Sequence, residues 1–366
     1  MTDVSIIIPT YEEKDNVQAL VERIHNSISS ISQNGDNTDY EIVIVDDNSP
    51  DGTAELVTEL SNKYPVRCIV RKDERGLASA VVTGFKYAKG DILVVMDADL
   101  QHPPEDVPNL IAEIHKGADI SIANRYANKD GFNGLGLHRK IISKGANYPA
   151  KILFKKLSGI SDIQSGFFAL RRDVIKDAKL NPLGYKILLE ILILGNYNKV
   201  TEISYKFAKR EYGETKLGAK VIFEYLLHIT TLAYRTGEFK RFTRYCTVGV
   251  VGIVVNTAVL FLFTNVLGFF YLVSAIMAHE ISIISNFFMN DGWTFKGLVT
   301  QNKPQDVAYR AFKYNIAKVT GIAISISLLF VMTEFLSINY IYANVLAITM
   351  GVLWGYSTST MIVWRH

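Results

Sequence analysis

Cysteine is almost missing from this chain. The two present in 366 residues, Cys68 and Cys246, lie far apart, one in an expected strand and one in a hydrophobic segment. They rule out a disulfide framework and offer no metal-ligand spacing. Tryptophan is nearly as scarce, with three residues at 293, 354 and 364. Charge is sparse in one part only: residues 241–366 hold eight Lys/Arg and four Asp/Glu, although the whole chain carries 39 and 36. That imbalance separates a charge-balanced soluble part from a membrane-like one. The formal net charge of +3 comes with no basic stripe, which excludes nucleic acid as an expected partner. A Walker-type phosphate cradle is also lacking, because Gly76-Leu77-Ala78-Ser79-Ala80 and Gly84 have neither its spacing nor its lysine. Gly76 reads instead as a turn or close-packing residue. No signal peptide precedes the first apolar run, Val4-Ser5-Ile6-Ile7-Ile8, so the soluble part is expected to stay in the cytoplasm.

What is present sorts by period. Residues 4–8, 41–45, 66–70, 91–96 and 119–123 are short apolar runs rich in β-branched side chains. Between several of them lie helical segments: Val17, Leu20, Val21, Ile24 and Ile28 share one face, and Leu56, Val57 and Leu60 another. Strands apolar on both faces, alternating with helices, predict an α/β fold with a mostly parallel sheet covered on both sides. In such sheets ligands sit beyond the carboxyl ends of the strands. Those ends carry the polar residues here. Pro9-Thr10-Tyr11-Glu12-Glu13 follows the first strand, Asp46-Asp47-Asn48-Ser49-Pro50-Asp51-Gly52-Thr53 the second, and Asn124-Arg125-Tyr126 the fifth. The fourth ends in Asp97-Ala98-Asp99-Leu100-Gln101-His102-Pro103-Pro104. Period-two geometry puts Asp97 and Asp99 on one side of an extended chain, with Ala98 facing away. Hard oxygen ligands at such a strand end suit Mg²⁺ or Mn²⁺ holding a diphosphate. Asp51-Gly52-Thr53, just before Leu56, also reads as helix capping. Carboxylates gathered at one sheet edge repel each other unless a cation or hydrogen-bond donors sit among them.

Three of these segments carry a resemblance in their order and spacing. They are Ile7-Ile8-Pro9-Thr10-Tyr11-Glu12-Glu13, the run Val45 to Thr53, and Met96-Asp97-Ala98-Asp99-Leu100-Gln101-His102-Pro103-Pro104-Glu105. The chain resembles the family 2 glycosyltransferases and, more narrowly, the dolichol-phosphate mannose synthases. Those are inverting enzymes of the GT-A fold (Rossmann-like, α/β) that move a sugar from a nucleotide diphosphate onto a polyprenyl phosphate. The resemblance implies that Pro9, Tyr11, Glu13, Val45 and Asp47 cradle the nucleoside. It places Asp97 and Ala98 beside the nucleotide or sugar, and Asp99 with Gln101 as ligands of Mg²⁺ or Mn²⁺. With no phosphate loop, the metal must neutralise most of the diphosphate.

Further along, Asp162-Ile163-Gln164-Ser165-Gly166-Phe167 matches the family's Asp-x-x-Ser-Gly-Phe segment, where many relatives direct a carboxylate at the acceptor. A hydroxyl acceptor needs a general base. A phosphate monoester does not, being already anionic near neutrality with a second pKa of about 6. No obligatory base is therefore expected, and Asp162 is read as supporting structure or acceptor placement. Repulsion between two phosphates calls for fixed cations. Arg125, Arg139, Arg210 and Lys216 are the candidates; Arg125, Arg139 and Ser143 are assigned to the acceptor phosphate. Arg210-Glu211-Tyr212-Gly213-Glu214-Thr215-Lys216-Leu217 resembles the family's Arg…Gly-Glu-Ser-Lys-Leu loop, with Thr215 keeping the hydroxyl. The Gln-x-x-Arg-Trp motif of processive relatives has no counterpart, since every Trp lies beyond residue 292. Single transfer is expected.

The glycine-rich residues 131–136 read as a loop and possible lid. The basic, aliphatic stretch around Lys144, Lys151, Lys155 and Lys156 is either a segment near lipid headgroups or a solvated face; Pro149 should kink it if helical. Residues 217–240 predict an amphipathic helix, with Val221, Ile222, Tyr225, Leu226, Ile229, Leu232 and Ala233 opposite Lys220, Glu224, His228 and Arg235. It could pack on the sheet, but its place before a hydrophobic domain favours an interfacial role.

The catalytic domain is thus expected at 1–216 and a membrane domain at 241–366. Spans need roughly 20 apolar residues, and four are expected at 244–266, 269–289, 312–335 and 340–363. Arg241, Arg244, Lys296, Lys303, Arg310, Lys313 and Arg365 fall on one side, which puts both termini and the catalytic domain in the cytoplasm. Glu280, Asn286, Asn290 and Asp291 are read as interhelical hydrogen-bonding groups rather than catalysts. The resulting expectation is transfer of mannose from GDP-mannose to dolichyl or another polyprenyl phosphate. UDP-glucose as donor is the near alternative, and a flipping protein with a vestigial transferase domain the remote one, because the sheet-edge carboxylates are intact.

Overall fold

The computed structural model describes residues 2–32, 38–126, 147–205, 219–299 and 303–364. There are two compact units, Met1–Ala150 with Lys156–Leu232, and Lys151–Lys155 with Ala233–His366.

In the first unit all five expected strands form: β1 (Val4–Thr10), β2 (Tyr40–Asp46), β3 (Val66–Val70), β4 (Ile92–Val95) and β5 (Ile120–Asn124). Helices α1 (Lys14–Ser32), α2 (Thr53–Leu60), α3 (Leu77–Tyr87) and α4 (Val107–His115) connect them. Two further strands, β6 (Phe168–Arg171) and β7 (Val200–Ser204), complete a sheet of order β3-β2-β1-β4-β6-β5-β7. Strand β6 runs antiparallel to both neighbours, and the other pairs are parallel. Strand β6 is not among the strands expected from the sequence.

Central strand β1 is buried along its whole length. Val4, Ile6 and Ile8 join Val17, Leu20, Val21 and Ile24 of α1 in one core. Each such side chain contributes about 1.5–3 kcal/mol by leaving water. Pro9 is tolerated inside β1 because the pairing with β4 stops at Ile7, leaving no partner there that needs its missing N–H. On the other face α3 packs so closely that a Cβ on Gly84 would stand 2.3 Å from Ile7 Cγ2. Burial pushes the half-buried Cys68 thiol up to about 12, so this cysteine is inert near neutrality.

Beyond the sheet, α5 (Tyr148–Leu153) has Pro149 in its first turn, where a proline's missing N–H costs nothing. The expected kink is thus corrected: Pro149 starts the helix. Helix α6 (Ile187–Leu194) is buried nearly throughout. Helix α7 (Ala219–Arg235) buries Tyr225, Ile229, Leu232 and Ala233 of its predicted stripe, but Leu226, expected among them, is exposed. His228, expected on the polar face, is buried as well, with Nε2 3.3 Å from Glu190 Oε2 of α6. The opposite face exposes Phe223, Leu226, Leu227 and Tyr234, so α7 has two apolar faces rather than one.

The second unit contains α8 (Glu238–Phe261), α9 (Tyr271–Met289), α10 (Pro304–Glu334) and α11 (Tyr340–Thr358). With a terminal π turn on three of them, they give four helices long and apolar enough to cross a membrane: Glu238–Val266, Tyr271–Thr294, Pro304–Glu334 and Tyr340–Val363. The polar residues inside them bind helix to helix. Asn315 donates to Glu280 (3.1 Å), and Asn290 donates to the Tyr314 hydroxyl (3.0 Å). Asp291 accepts from Arg310 (2.9 and 3.1 Å) and from Trp364 Nε1 (2.7 Å). Asn286 fills the space above Gly252.

Close packing of α3 makes a direct test. Gly84→Ala should lower the unfolding free energy by about 1–3 kcal/mol through overpacking. Adding Ile7→Ala should recover part of that loss, a non-additivity measurable by thermal unfolding of the full chain in detergent.

Candidate active site

The loops after β1 and β2 interlock before they present anything outward. Asp46 accepts from Thr10 Oγ1 (2.9 Å), Ser49 N–H (2.8 Å) and Ser49 Oγ (2.6 Å), so it builds the turn. Asp51 accepts from Thr53 N–H and Oγ1 (3.0 and 2.6 Å) and from Lys14 N–H (3.1 Å), which upholds its reading as a cap. Asp47, one of the expected nucleoside contacts, is buried and ion-paired with Arg71 (Nε–Oδ1 2.7 Å), while Oδ2 accepts Gly76 N–H at 2.7 Å. Gly76 has φ +136°, a backbone conformation that side chains disfavour, and its carbonyl accepts from Arg71 at 3.0 Å. It is therefore the expected turn residue, closing Asp47 and Arg71 into one wall. Tyr11 stands at the rim, 39 % exposed, with the Arg75 guanidinium 5.0 Å from its ring centroid. Glu13 accepts from Asn16 Nδ2 (2.7 Å) at the start of α1.

Two of the expected nucleoside contacts have buried side chains. Val45 is fully buried in β2 between β1 and β3, with its side chain toward α3, so it supports the wall from below. Pro9 is likewise buried, in register with Val45. Ala98 is 3 % exposed and belongs to the core beneath the site.

At the end of β4 the mechanism of convergence also differs from expectation. The strand stops at Val95, residues 98–100 are bent, and Leu100 has φ +57°. Asp97 and Asp99 therefore approach through a turn, not through strand pleating. Burial pushes the Asp97 carboxyl above the usual carboxylate range, and the charge of Asp99 adds to that push. A third of the Asp97 side chain still reaches solvent. His102 is 3 % exposed, and its Nδ1 accepts the Asp97 N–H at 3.1 Å. That bond leaves the ring proton on Nε2, and burial holds His102 below the usual histidine range, neutral. The 3.7 Å approach of Nδ1 to Asp97 Oδ2 is thus no ion pair.

The Ser-Gly-Phe segment explains itself here. Ser165 Oγ donates to the Ala123 carbonyl (2.8 Å) and accepts Phe167 N–H (3.2 Å), tying the chain to β5. Phe167 stacks on His102 with centroids 5.2 Å apart. Gly166 lies against Asp97: a Cβ would stand 3.0 Å from Oδ2 and 3.2 Å from His102 Cε1. Asp162, fully buried, holds Arg125 in a two-point clamp, with Nε–Oδ2 at 2.8 Å and Nη2–Oδ1 at 2.9 Å. Both Asp162 oxygens are thus engaged with one guanidinium.

Sequence reasoning missed Lys186, the residue preceding α6. Burial, with the like charge of Arg125, pushes its ammonium down to about 8, while Asp162 and Asp97 pull it the other way. It therefore lies in the field of the same groups. A signal existed: a cation at a helix N-terminus opposes the helix dipole, a local rule broken without local gain. Glu190, one turn on, accepts Asn181 N–H (2.9 Å) and faces His228, which fixes the loop that delivers Lys186.

Among the described residues no three His, Cys, Asp or Glu side chains converge as a metal cage. The Asp99 carboxylate, which accepts Gln101 N–H at 3.2 Å, and the Gln101 amide are nonetheless adjacent hard oxygen donors. They fit Mg²⁺ or Mn²⁺ as a partial shell that a diphosphate and water would complete. Arg139, Ser143, Arg210, Lys216 and residues 131–136 lie outside the described residues. A second concavity, of about 500 Å³, opens beside Asp3 and Asp91 at the opposite sheet edge. Its arginines are engaged with backbone carbonyls, Arg171 with Ala118 and Ile114, and Arg172 with Ala88 and Gly90.

A GT-A sheet with neutralised carboxylates, an exposed aromatic rim and clamped cations at its carboxyl edge defines a glycosyltransferase. Comparison with known proteins narrows the class. Residues 5–178 match the family model "Glycosyl transferase family 2", and residues 244–364 match "GtrA/DPMS, transmembrane domain". The dolichol-phosphate mannosyltransferase of Pyrococcus furiosus is 45 % identical over 361 residues, 99 % of each chain. That of Saccharomyces cerevisiae is 40 % identical over 238 residues, 62 % of this chain and 86 % of the yeast protein. Among solved structures, mannosyl-3-phosphoglycerate synthase from Rubrobacter xylanophilus superposes with a TM-score of 0.49 at 17 % identity, over 65 % of this chain and 76 % of that one. The chain belongs to the dolichol-phosphate mannosyltransferase family, and it is an integral membrane protein.

Two outcomes test the site. Asp162→Asn should release Arg125, cost about 1–3 kcal/mol of stability and slow sugar transfer at least about tenfold. Lys186 should shape the pH profile. Because its folded pKa lies near 8, its charge is present below that pH and lost above it. The transfer kcat/KM, which reports the free enzyme, should fall as pH rises through about 8. Lys186→Arg, always charged, should keep the profile flat to roughly pH 10. A wild-type profile flat over that range would remove Lys186 from the reaction's electrostatics.

Proposed function

We propose that the chain transfers mannose from GDP-mannose to dolichyl phosphate or a related polyprenyl phosphate, with inversion at the anomeric carbon. The observation that carries this reading is the Asp162–Arg125 clamp. A site for a neutral hydroxyl would need that carboxylate free as a base. Here it holds a cation in place, the arrangement that an already anionic acceptor requires. Mannose and the dolichyl carrier follow the names of relatives alike along the whole chain or most of their own length.

On this reading the Tyr11, Asp47 and Arg71 wall receives the nucleoside, and Asp97, above His102 and Gly166, faces the sugar. Asp99 and Gln101 would hold a divalent cation that withdraws charge from the leaving diphosphate. Two protein donors are too few to bind the ion alone, so metal and nucleotide should bind together. Arg125, with Lys186 nearby, lowers the repulsion between donor and acceptor phosphates; Arg139, Ser143, Arg210 and Lys216 are proposed to complete that field. The basic residues at one end of the four spans support cytoplasmic termini and a cytoplasmic catalytic domain.

Membranes containing the full chain should incorporate label from GDP-mannose into a polyprenyl-phosphate lipid fraction when Mg²⁺ or Mn²⁺ is present. Chelation or Asp99→Ala should abolish it. Incorporation from UDP-glucose alone would reassign the donor, and no incorporation from either would sink the transferase reading.

A further inference from the structure

The membrane unit holds a half-open cavity of about 580 Å³ where α8 begins and the second span ends. Four cations line it: Lys240, Arg241, Arg244 and Lys296. Charge balance around it is one-sided. Glu238 pairs with Arg241, and Asp291, the other carboxylate on these two helix ends, is committed to Arg310 and Trp364. Lys240 and Lys296 are exposed, and neither has an ion-pair partner among the described residues. Arg244 is held in place, donating to the Trp293 carbonyl (3.4 Å) with its guanidinium 5.4 Å from the indole centroid. The floor is open because Gly237, Gly292 and Gly297 would each meet nothing within 4 Å of a Cβ. Like charges lining one concavity repel each other, and an entering anion relieves that repulsion.

Depth decides which anion. The cavity sits at adjoining ends of the spans Glu238–Val266 and Tyr271–Thr294. Trp293, 44 % exposed, lines it, and Phe239, equally exposed, precedes the lining residue Lys240, as headgroup-level aromatics do. Further along α8 the exposed side chains turn aliphatic, with Val250, Ile253 and Val254 all more than 60 % exposed, a surface suited to acyl or isoprenyl chains. Basic pockets between membrane helices receive phosphorylated headgroups. We propose that this cavity is a lipid-phosphate site, built by the membrane unit alone, that takes the phosphate headgroup of an anionic membrane lipid. A basic cluster serving only to orient the helices would retain no lipid.

Native mass spectrometry of the full chain, purified in neutral detergent, tests this with dioleoyl phosphatidic acid, dioleoyl phosphatidylcholine and inorganic phosphate offered separately. Phosphatidic acid should be retained in preference to phosphatidylcholine. Lys240→Gln with Lys296→Gln should weaken its retention about thirtyfold, and Lys240→Arg with Lys296→Arg should preserve it. Thermal unfolding of each variant separates loss of binding from loss of fold; if the double glutamine variant melts early, Lys296→Glu alone carries the comparison. Equal retention by the wild type and the charge-removed variant overturns the proposal. Inorganic phosphate retained as well as phosphatidic acid overturns the lipid assignment.

Discussion

Like-charge repulsion governs the carboxyl edge of this sheet. Asp46, Asp47, Asp51, Asp97, Asp99 and Asp162 all lie on segments leading into or out of that edge, and the proposed reaction adds a diphosphate and a second phosphate. The fold answers by giving most of these carboxylates internal partners. Asp46 is enclosed by Thr10 and Ser49, Asp47 by Arg71 and Gly76, and Asp162 by Arg125. Hydrogen bonds to an ionised acceptor are about twice as strong as neutral ones, so these pairs both remove repulsion and stiffen the loops. Asp97 is treated differently: burial pushes its carboxyl toward the protonated form.

The antiparallel strand β6 is what allows one loop to serve both halves of the site. By entering the sheet between β4 and β5, it brings residues 162–167 across the ends of both. Asp162 then faces the β5 end and fixes Arg125, while Gly166 and Phe167 face the β4 end and pack on Asp97 and His102. A parallel strand in that position would present its carboxyl end, and the loop after it, at this edge instead. The Asp-x-x-Ser-Gly-Phe spacing thus has a structural reason: four residues lie between Asp162 and Phe167, enough to cross from one strand end to the other.

Much of this was legible beforehand, and the failures have physical causes. The five apolar runs became β1 to β5 because buried parallel strands are continuously hydrophobic. The four spans were legible because a bilayer requires long apolar helices. Strands β6 and β7 were missed, the first being very short and the second half-exposed. Motif position marked loops at the sheet edge but carried nothing about side-chain direction. Val45 and Ala98 sit inside motifs yet point into the core, since an apolar residue between two polar ones is there to anchor the loop. His228 was misassigned because a hydropathy stripe cannot see Glu190, 38 residues earlier, waiting to pair with it.

Lys186 shows the converse, a residue that no motif marks and that only tertiary placement reveals. Its helix would be more stable with an acid at that end, and its ammonium would keep its charge more easily in water. Both local preferences are overridden, and Glu190 enforces the override by binding the backbone of the preceding loop from one turn further on. A lysine held in an unfavourable field gains the most when an anion enters, because the incoming charge relieves burial and like-charge repulsion together. Arg125 cannot respond in that way, since its guanidinium stays charged at any accessible pH. On the proposed reading the two cations divide the work: Arg125, clamped by Asp162, fixes geometry, and Lys186, with its folded pKa near 8, is held more firmly in its charged form once phosphates bind.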